Sequence, residues 1–371
     1  MVPIRRQSLG AIAAVLACTA ATIAGRDLFP HPGIYFGVFP DQPIQSSFGR
    51  LAVNGRYPAM LGTFLPYRNV LQDQYLKVMA EFCQGVLERS TVANVHPPMV
   101  HLTMQPVDSG PISPEPLQEF ASLVRTYARK GLQIVVRWAP EFNLPEITWG
   151  GNPRQFIANW AMVANAVGDS AAMFWCPNVA NEALSPTTYD DYYPGDRYVD
   201  IVGVDIYYEI SKQPDNVKTN EIFIKSVTGE KWPRQKLWDF YDRFAAAKKK
   251  PFVVGETAAY WKTATEKGRE IEVKRTWWNQ LFSRAAMARF PLFKGVLWFN
   301  SHKREDNLDT DMRIFNEHDD TKSPVLVRFE SDMSSPMSSA IVFADPATTA
   351  TVVLRPKAPA PALPSSDRHP N

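Results

Sequence analysis

The sequence predicts an α/β chain folded as a (β/α)8 barrel, a TIM barrel, with a disordered C-terminal tail. Eight short apolar, β-branched or aromatic runs recur over about 270 residues, close to the roughly 250 of a closed barrel. Amphipathic stretches separate them, and that alternation implies parallel strands with crossover helices. An open doubly wound sheet is the competing arrangement. It calls for a Gly-rich turn after its first strand, and Phe36-Gly37-Val38-Phe39-Pro40 is not one.

In chain order the runs are Ile34–Phe39, Ala59–Phe64, Met99–Met104, Leu132–Trp138, Ala172–Cys176, Asp200–Tyr207, Pro251–Gly255 and Gly295–Phe299. Between them lie stripes of helical period. Leu76, Met79, Cys83 and Val86 share one face. Leu117, Phe120, Leu123, Val124 and Tyr127 share another, on a helix stopped by Gly131. Phe156, Trp160 and Val163 repeat the pattern, as do Leu237, Tyr241 and Phe244. These stripes are read as core contacts against the sheet.

Of the 371 residues, 45% are apolar and 21% charged, which permits a large core. Forty basic residues against 38 acidic ones leave a charge of +2, so neither nucleic acid nor a polybasic membrane arm is indicated. Ten Trp, 13 Tyr and 21 Phe supply flat rings suited to stacking on sugars as well as to a core. No zinc-type Cys/His spacing, phosphate-binding GxxxxGK or nucleophile-elbow GxSxG occurs. No metal and no cofactor is expected.

Residues 1–25 read as an export signal peptide. Arg5 and Arg6 precede the Ala-rich apolar run Leu9–Ile23, which is shorter than the roughly 17–25 residues of a span. Arg5-Arg6-Gln7-Ser8-Leu9 loosely resembles a twin-arginine signal, and Val15-Leu16-Ala17-Cys18 a lipoprotein processing site. The expected location is secreted or periplasmic, with a form lipid-anchored through Cys18 as an alternative and no transmembrane span after signal removal. Residues 26–325 are assigned to the barrel and 326–371, rich in Pro, Ala and Ser, to a disordered tail. Within that tail Ile341–Phe343 and Val352–Leu354 could pair as a hairpin. Cys83 and Cys176 are expected as buried free thiols.

Barrel enzymes carry their chemistry where strands end. The fourth run ends Arg137-Trp138-Ala139-Pro140-Glu141-Phe142-Asn143 and the seventh Val254-Gly255-Glu256-Thr257. Each places a carboxylate directly after an apolar strand, where ionisation is costly unless the group is paired or used. Two carboxylates facing one sugar are what glycoside hydrolysis requires, one to protonate the departing oxygen and one to attack the anomeric carbon. Glu141 and Glu256 are therefore the candidate catalytic pair. Of such a pair, the acid needs apolar neighbours to keep its proton and the nucleophile needs hydrogen-bond donors.

Five segments in order resemble glycoside hydrolase family 26, a family of β-mannanases and some other β-glycanases. They are Arg137–Gly150 (RWAPEFNLPEITWG), Phe174–Asn178, Tyr192–Asp200 running into Val202–Tyr207, Lys250–Thr257 and Lys294–Asn300. The resemblance runs from about Gly33 to Phe315. It implies a retaining enzyme with Glu141 as acid/base and Glu256 as nucleophile, and a polysaccharide as partner. Arg137, Asn143, Trp149, Asn178, Tyr207 and Trp298 are then expected to line the substrate site, Trp298 as a sugar platform. His101 and Trp175 are expected to fill the barrel interior.

The sequence departs from the family at three loop positions. Pro140 replaces the His that precedes the acid, Leu144 the Gly after Asn143, and Ala258 a Gly of the nucleophile loop. Proline fixes φ and removes a backbone donor without restoring the lost imidazole. The alternative to a retaining glycanase is thus a catalytically impaired carbohydrate-binding barrel of a polysaccharide matrix.

Overall fold

A computed structural model describes residues 28–41, 48–68, 73–93, 98–179, 187–209, 219–231, 239–305, 307–316, 321–334 and 340–344. The eight expected strands are present: β1 (Ile34–Phe39), β2 (Met60–Pro66), β3 (Met99–Gln105), β4 (Ile134–Trp138), β5 (Ala172–Trp175), β6 (Ile201–Asp205), β7 (Phe252–Thr257) and β8 (Phe293–Phe299). Each pairs in parallel with the next. β8 returns to β1 in register from Tyr35 opposite Gly295 to Phe39 opposite Phe299, which closes the barrel.

Alternation along each strand divides the core in two. On β1, Ile34, Phe36 and Val38 face the helices, whereas Tyr35 and Phe39 face the barrel axis. The inner layer continues through Met60, Met99, Val135, Phe174, Val253 and Leu297. Gly62 belongs to this crowded face: a Cβ there would lie 2.3 Å from the Phe39 ring.

The helices follow their stripes. Leu76, Met79, Cys83 and Val86 are buried on α1 (Gln74–Ala93). In α2 (Pro114–Arg129), Pro114 occupies the first turn, where its missing N–H costs nothing, and Gly131 at φ +91° follows the end. Asn152 caps α3 (Pro153–Val167) by accepting from the Gln155 N–H at 3.3 Å. Of the fourth stripe, Leu237 lies outside the described residues. Tyr241–Ala246 winds as a π-helix, bringing Tyr241 onto Phe252 and Phe290 while Phe244 packs on Trp175. Helix α4 (Ile222–Val227) precedes it, and α5 (Glu270–Leu281) and α6 (Arg284–Arg289) follow.

The boundary expected at residue 325 falls inside a folded element. Helix α7 (Pro324–Met333) buries Val325, Leu326, Phe329 and Met333, with Phe329 5.2 Å from both Phe36 and Trp278. Ile341–Ala344 forms a strand parallel to β1 and antiparallel to Tyr57–Pro58. Ser- and Pro-rich flanks masked two short amphipathic elements that gain stability only by docking on the barrel. Val352–Leu354, the hairpin partner expected for Ile341–Phe343, lies outside the described residues, as do residues 1–27 with the expected signal and Cys18. Among the described residues no helix is long and apolar enough to cross a membrane.

Candidate active site

The ends of β4, β5, β6 and β7 converge on one buried guanidinium. Arg137 projects inward from β4 and is fully buried. Its Nη1 donates to Glu256 Oε1 at 2.5 Å, and its Nη2 donates to Asp205 at the end of β6. Tyr207 Oη donates to the second oxygen, Glu256 Oε2, at 3.0 Å. Burial, reinforced by the charge of Glu256, pushes the Tyr207 phenol well up, so it remains a donor. Each oxygen of Glu256 thus accepts a hydrogen bond, one from a cation and one from a phenol.

Gly255 makes room for this arrangement. A Cβ there would lie 2.4 Å from Cys176 Sγ and 2.9 Å from Asp205 Oδ1. The Cys176 thiol donates to Asp205 at 3.1 Å, and burial pushes its pKa well up. Cys83 and Cys176 are both free and buried, as expected.

Glu141 is held differently. Ala139 and Glu141 adopt φ of +51° and +53°, left-handed values on both sides of Pro140. For residues other than glycine each costs about 1–2 kcal/mol. The Asn178 amide donates to Glu141 Oε1. Asn178 is itself clamped by Asn143, whose Oδ1 accepts from the Asn178 N–H at 2.8 Å and whose Nδ2 donates to the Asn178 carbonyl at 3.0 Å. Burial and the negative charge of Glu256 push Glu141 up to about 7, against the bond from Asn178 and the charges of Arg137 and Lys303. A half-buried carboxyl with that value is a proton donor at neutral pH.

Arg137, Asn143, Asn178 and Tyr207 therefore surround the two glutamates, while Trp298, the expected platform, is buried away from them. Trp298 points out of the barrel and is fully buried, its Nε1 donating to the Met312 carbonyl at 2.8 Å and its ring near Trp278. Its neighbour Phe299 takes the inward position, half-buried between Phe64 at 5.9 Å and Tyr207 at 6.3 Å. Tyr260 extends this wall, 5.3 Å from Tyr207, and Lys303 Nζ lies 5.3 Å from the Phe299 ring. Trp149 donates its indole N–H to the Pro140 carbonyl at 2.7 Å.

His101 lies inside the barrel as expected, against Phe39 and Phe174. Burial first, then the charge of Arg137, keeps its imidazole neutral. Trp175 does not: it packs in the outer layer on Phe142, Phe240 and Phe244. Sequence reasoning missed Asp205 and Phe299. An aspartate closing the apolar run Val202-Gly203-Val204 was a signal for the first, whereas alternation along β8 does not say which of Trp298 and Phe299 faces inward.

A closed parallel barrel with one donor-bound carboxylate and one proton-retaining carboxyl on its C-terminal face is the arrangement of a glycoside hydrolase. Residues 172–231 match the model of Glycosyl hydrolase family 26, the family that the sequence motifs resemble. No curated protein matches the chain. Among solved structures, a family 26 β-mannanase from Bacteroides ovatus is 17% identical, with a TM-score of 0.52 over 85% of this chain and 91% of that one. The catalytic domain of an endo-β-1,4-mannanase from Bacillus sp. JAMB-750 is 16% identical, with a TM-score of 0.56 over 84% and 88%. A modular endo-β-1,4-mannanase from Cellulomonas fimi is 16% identical, with a TM-score of 0.50 over 88% and 76%. At these identities the likeness is one of fold.

Proposed function

We propose that this chain is a retaining endo-β-glycanase that cuts a mannan-like β-glycan outside the cytoplasm, by a double displacement on Glu256 and Glu141. The observation that carries this reading is the opposite treatment of the two glutamates. Glu256 receives Arg137 and Tyr207, whereas Glu141 is raised to about 7. Glu256 attacks the anomeric carbon as the bond to the leaving oxygen breaks, and Glu141 gives that oxygen its proton. A water then attacks the glycosyl–Glu256 ester, delivering its proton to the Glu141 carboxylate, and Glu256 is released. Asn178 orients the acid, Asn143 orients Asn178, and Arg137 ties Glu256 to Asp205. Phe299, Phe64 and Tyr260 supply the apolar wall on which a sugar face can rest.

The barrel with its docked α7 and Ile341–Ala344 strand forms the catalytic unit in this reading, exported after removal of residues 1–25. The test is release of reducing ends from mannan, glucomannan, xylan and mixed-linkage glucan by the wild type and by Glu256→Ala, with the anomer first formed read by NMR. Cleavage of at least one β-glycan with retention, abolished in Glu256→Ala, is expected. No release by either protein, with polysaccharide binding equal in both, would replace the enzyme by a binding barrel.

A further inference from the structure

We infer that Trp149 is a positioning residue for Glu141: its hydrogen bond to the Pro140 carbonyl holds the turn that aims the acid. This rests on the reading of Glu141 as acid/base. The turn Ala139-Pro140-Glu141 is left-handed on both sides of the proline, and such backbone persists only where its surroundings over-determine it. Two anchors fix the ends of the turn. The Ala139 N–H donates to the Met104 carbonyl at 2.9 Å, and Phe142 packs 4.0 Å from Phe156. Between them, the carbonyl is the sole backbone hydrogen-bonding group that Pro140 possesses. It is this carbonyl that accepts from the Trp149 indole at 2.7 Å.

The loop from 141 to 150 is built to return that indole. Successive turns bond the Leu144 N–H to the Glu141 carbonyl at 2.9 Å, Ile147 to Leu144 at 3.4 Å, and Gly150 to Ile147 at 2.8 Å. A Cβ at Gly150 would lie 2.0 Å from the Leu144 oxygen, so the last turn closes only with glycine. Trp149 is also half-buried against the outer core, which holds the ring by packing. Removing the indole N–H leaves the buried Pro140 carbonyl without its partner. The peptide between 140 and 141 can then rotate, Glu141 relaxes toward ordinary φ, and its carboxyl leaves Asn178. The loop thus aims the acid by backbone means at the place where the family's His is replaced.

The experiment compares the wild type, Trp149→Phe and Trp149→His, the last retaining a ring N–H. kcat/KM is measured on the cleaved polysaccharide and on a dinitrophenyl oligoglycoside of the same sugar, whose leaving group departs without a proton. The Glu141 carboxyl is titrated by carbon-13 NMR, assigned with Glu141→Gln. A positioning role predicts that Trp149→Phe loses on the order of tenfold or more on polysaccharide, part of the contribution of general-acid catalysis, and little on the aryl substrate. The Glu141 midpoint moves away from its wild-type value, and Trp149→His recovers part of both effects. Equal losses on both substrates with an unchanged midpoint would overturn the inference and make Trp149 a sugar contact. No loss with an unchanged midpoint would overturn it too. The titration needs no substrate, so it judges the inference even where the glycanase reading fails.

Discussion

At the end of β7, Glu256 continues the line of its strand and finds a donor waiting for each oxygen, Nη1 of Arg137 and the phenol of Tyr207. At the end of β4, Glu141 is turned off its strand by two left-handed residues and receives one neutral amide, from Asn178. The first environment offers a cation and a phenol to the carboxylate that the proposed mechanism uses for attack. The second leaves a charge unpaired, so that burial and the neighbouring anion favour the proton. Two residues of one type acquire different chemistry because one strand end offers a cation and a phenol, while the other offers strain and partial burial.

Breaking the Glu141 side gives the largest expected effect. Glu141→Ala should lower kcat/KM on polysaccharide by roughly 10²–10⁴-fold, the scale of lost general-acid catalysis, while an aryl glycoside with a good leaving group is largely spared. In the wild type, kcat/KM on polysaccharide should fall as pH rises through about 7, where Glu141 loses its proton. That limb should vanish in Glu141→Ala. A limb that survives the substitution would assign the titration to another group.

Breaking the Glu256 side acts on the fold as well as on the chemistry. Arg137→Met leaves Asp205 and Glu256 buried beside each other without their shared cation, and removal of one partner from such a buried network costs about 3–5 kcal/mol. Thermal and denaturant melts should register that loss. A melt indistinguishable from wild type would show that Asp205 or Glu256 takes up a proton instead. Tyr207→Phe is milder: one hydrogen bond to a charged group is lost, worth about 1.5–3 kcal/mol, or on the order of tenfold or more in kcat. An unchanged kcat would mean that Arg137 alone sets the nucleophile.

The two strand ends also differ in what the sequence made legible. Eight apolar runs of strand length and three unbroken helical stripes specified the barrel, because each element satisfies its own period locally. Both glutamates were legible for the same reason, each following directly on an apolar run. Trp298 and Phe299 were not separable in advance: which of two adjacent rings faces the axis is set by the register of β8 on β1, a contact between the two ends of the barrel. Trp175 was misplaced inward on the same ground, its parity on β5 being fixed by neighbours on β4 and β6. The bond from Trp149 to Pro140 depends on three turns in succession, none of which has a sequence signature of its own. α7 and Ile341–Ala344 are short elements in a Ser- and Pro-rich context, and only tertiary docking reveals them.

The smallest effect sharpens the comparison in the absence of any substrate. For most carboxylates of a folded protein a partner depresses the pKa and stability falls with acid. Glu141 works in the opposite direction, raised from its ordinary 4.5 to about 7. Between those values the folded chain keeps a proton that the unfolded chain has released, so this group's contribution to stability falls as pH rises from about 4.5 to 7 and is level beyond. Glu141→Gln, neutral at every pH, lacks that dependence. It should match the wild type near pH 4.5 and melt a few degrees higher above pH 7. A gap that stays constant across that window would mean that Glu141 is ionised throughout, and that the two strand ends differ in geometry alone.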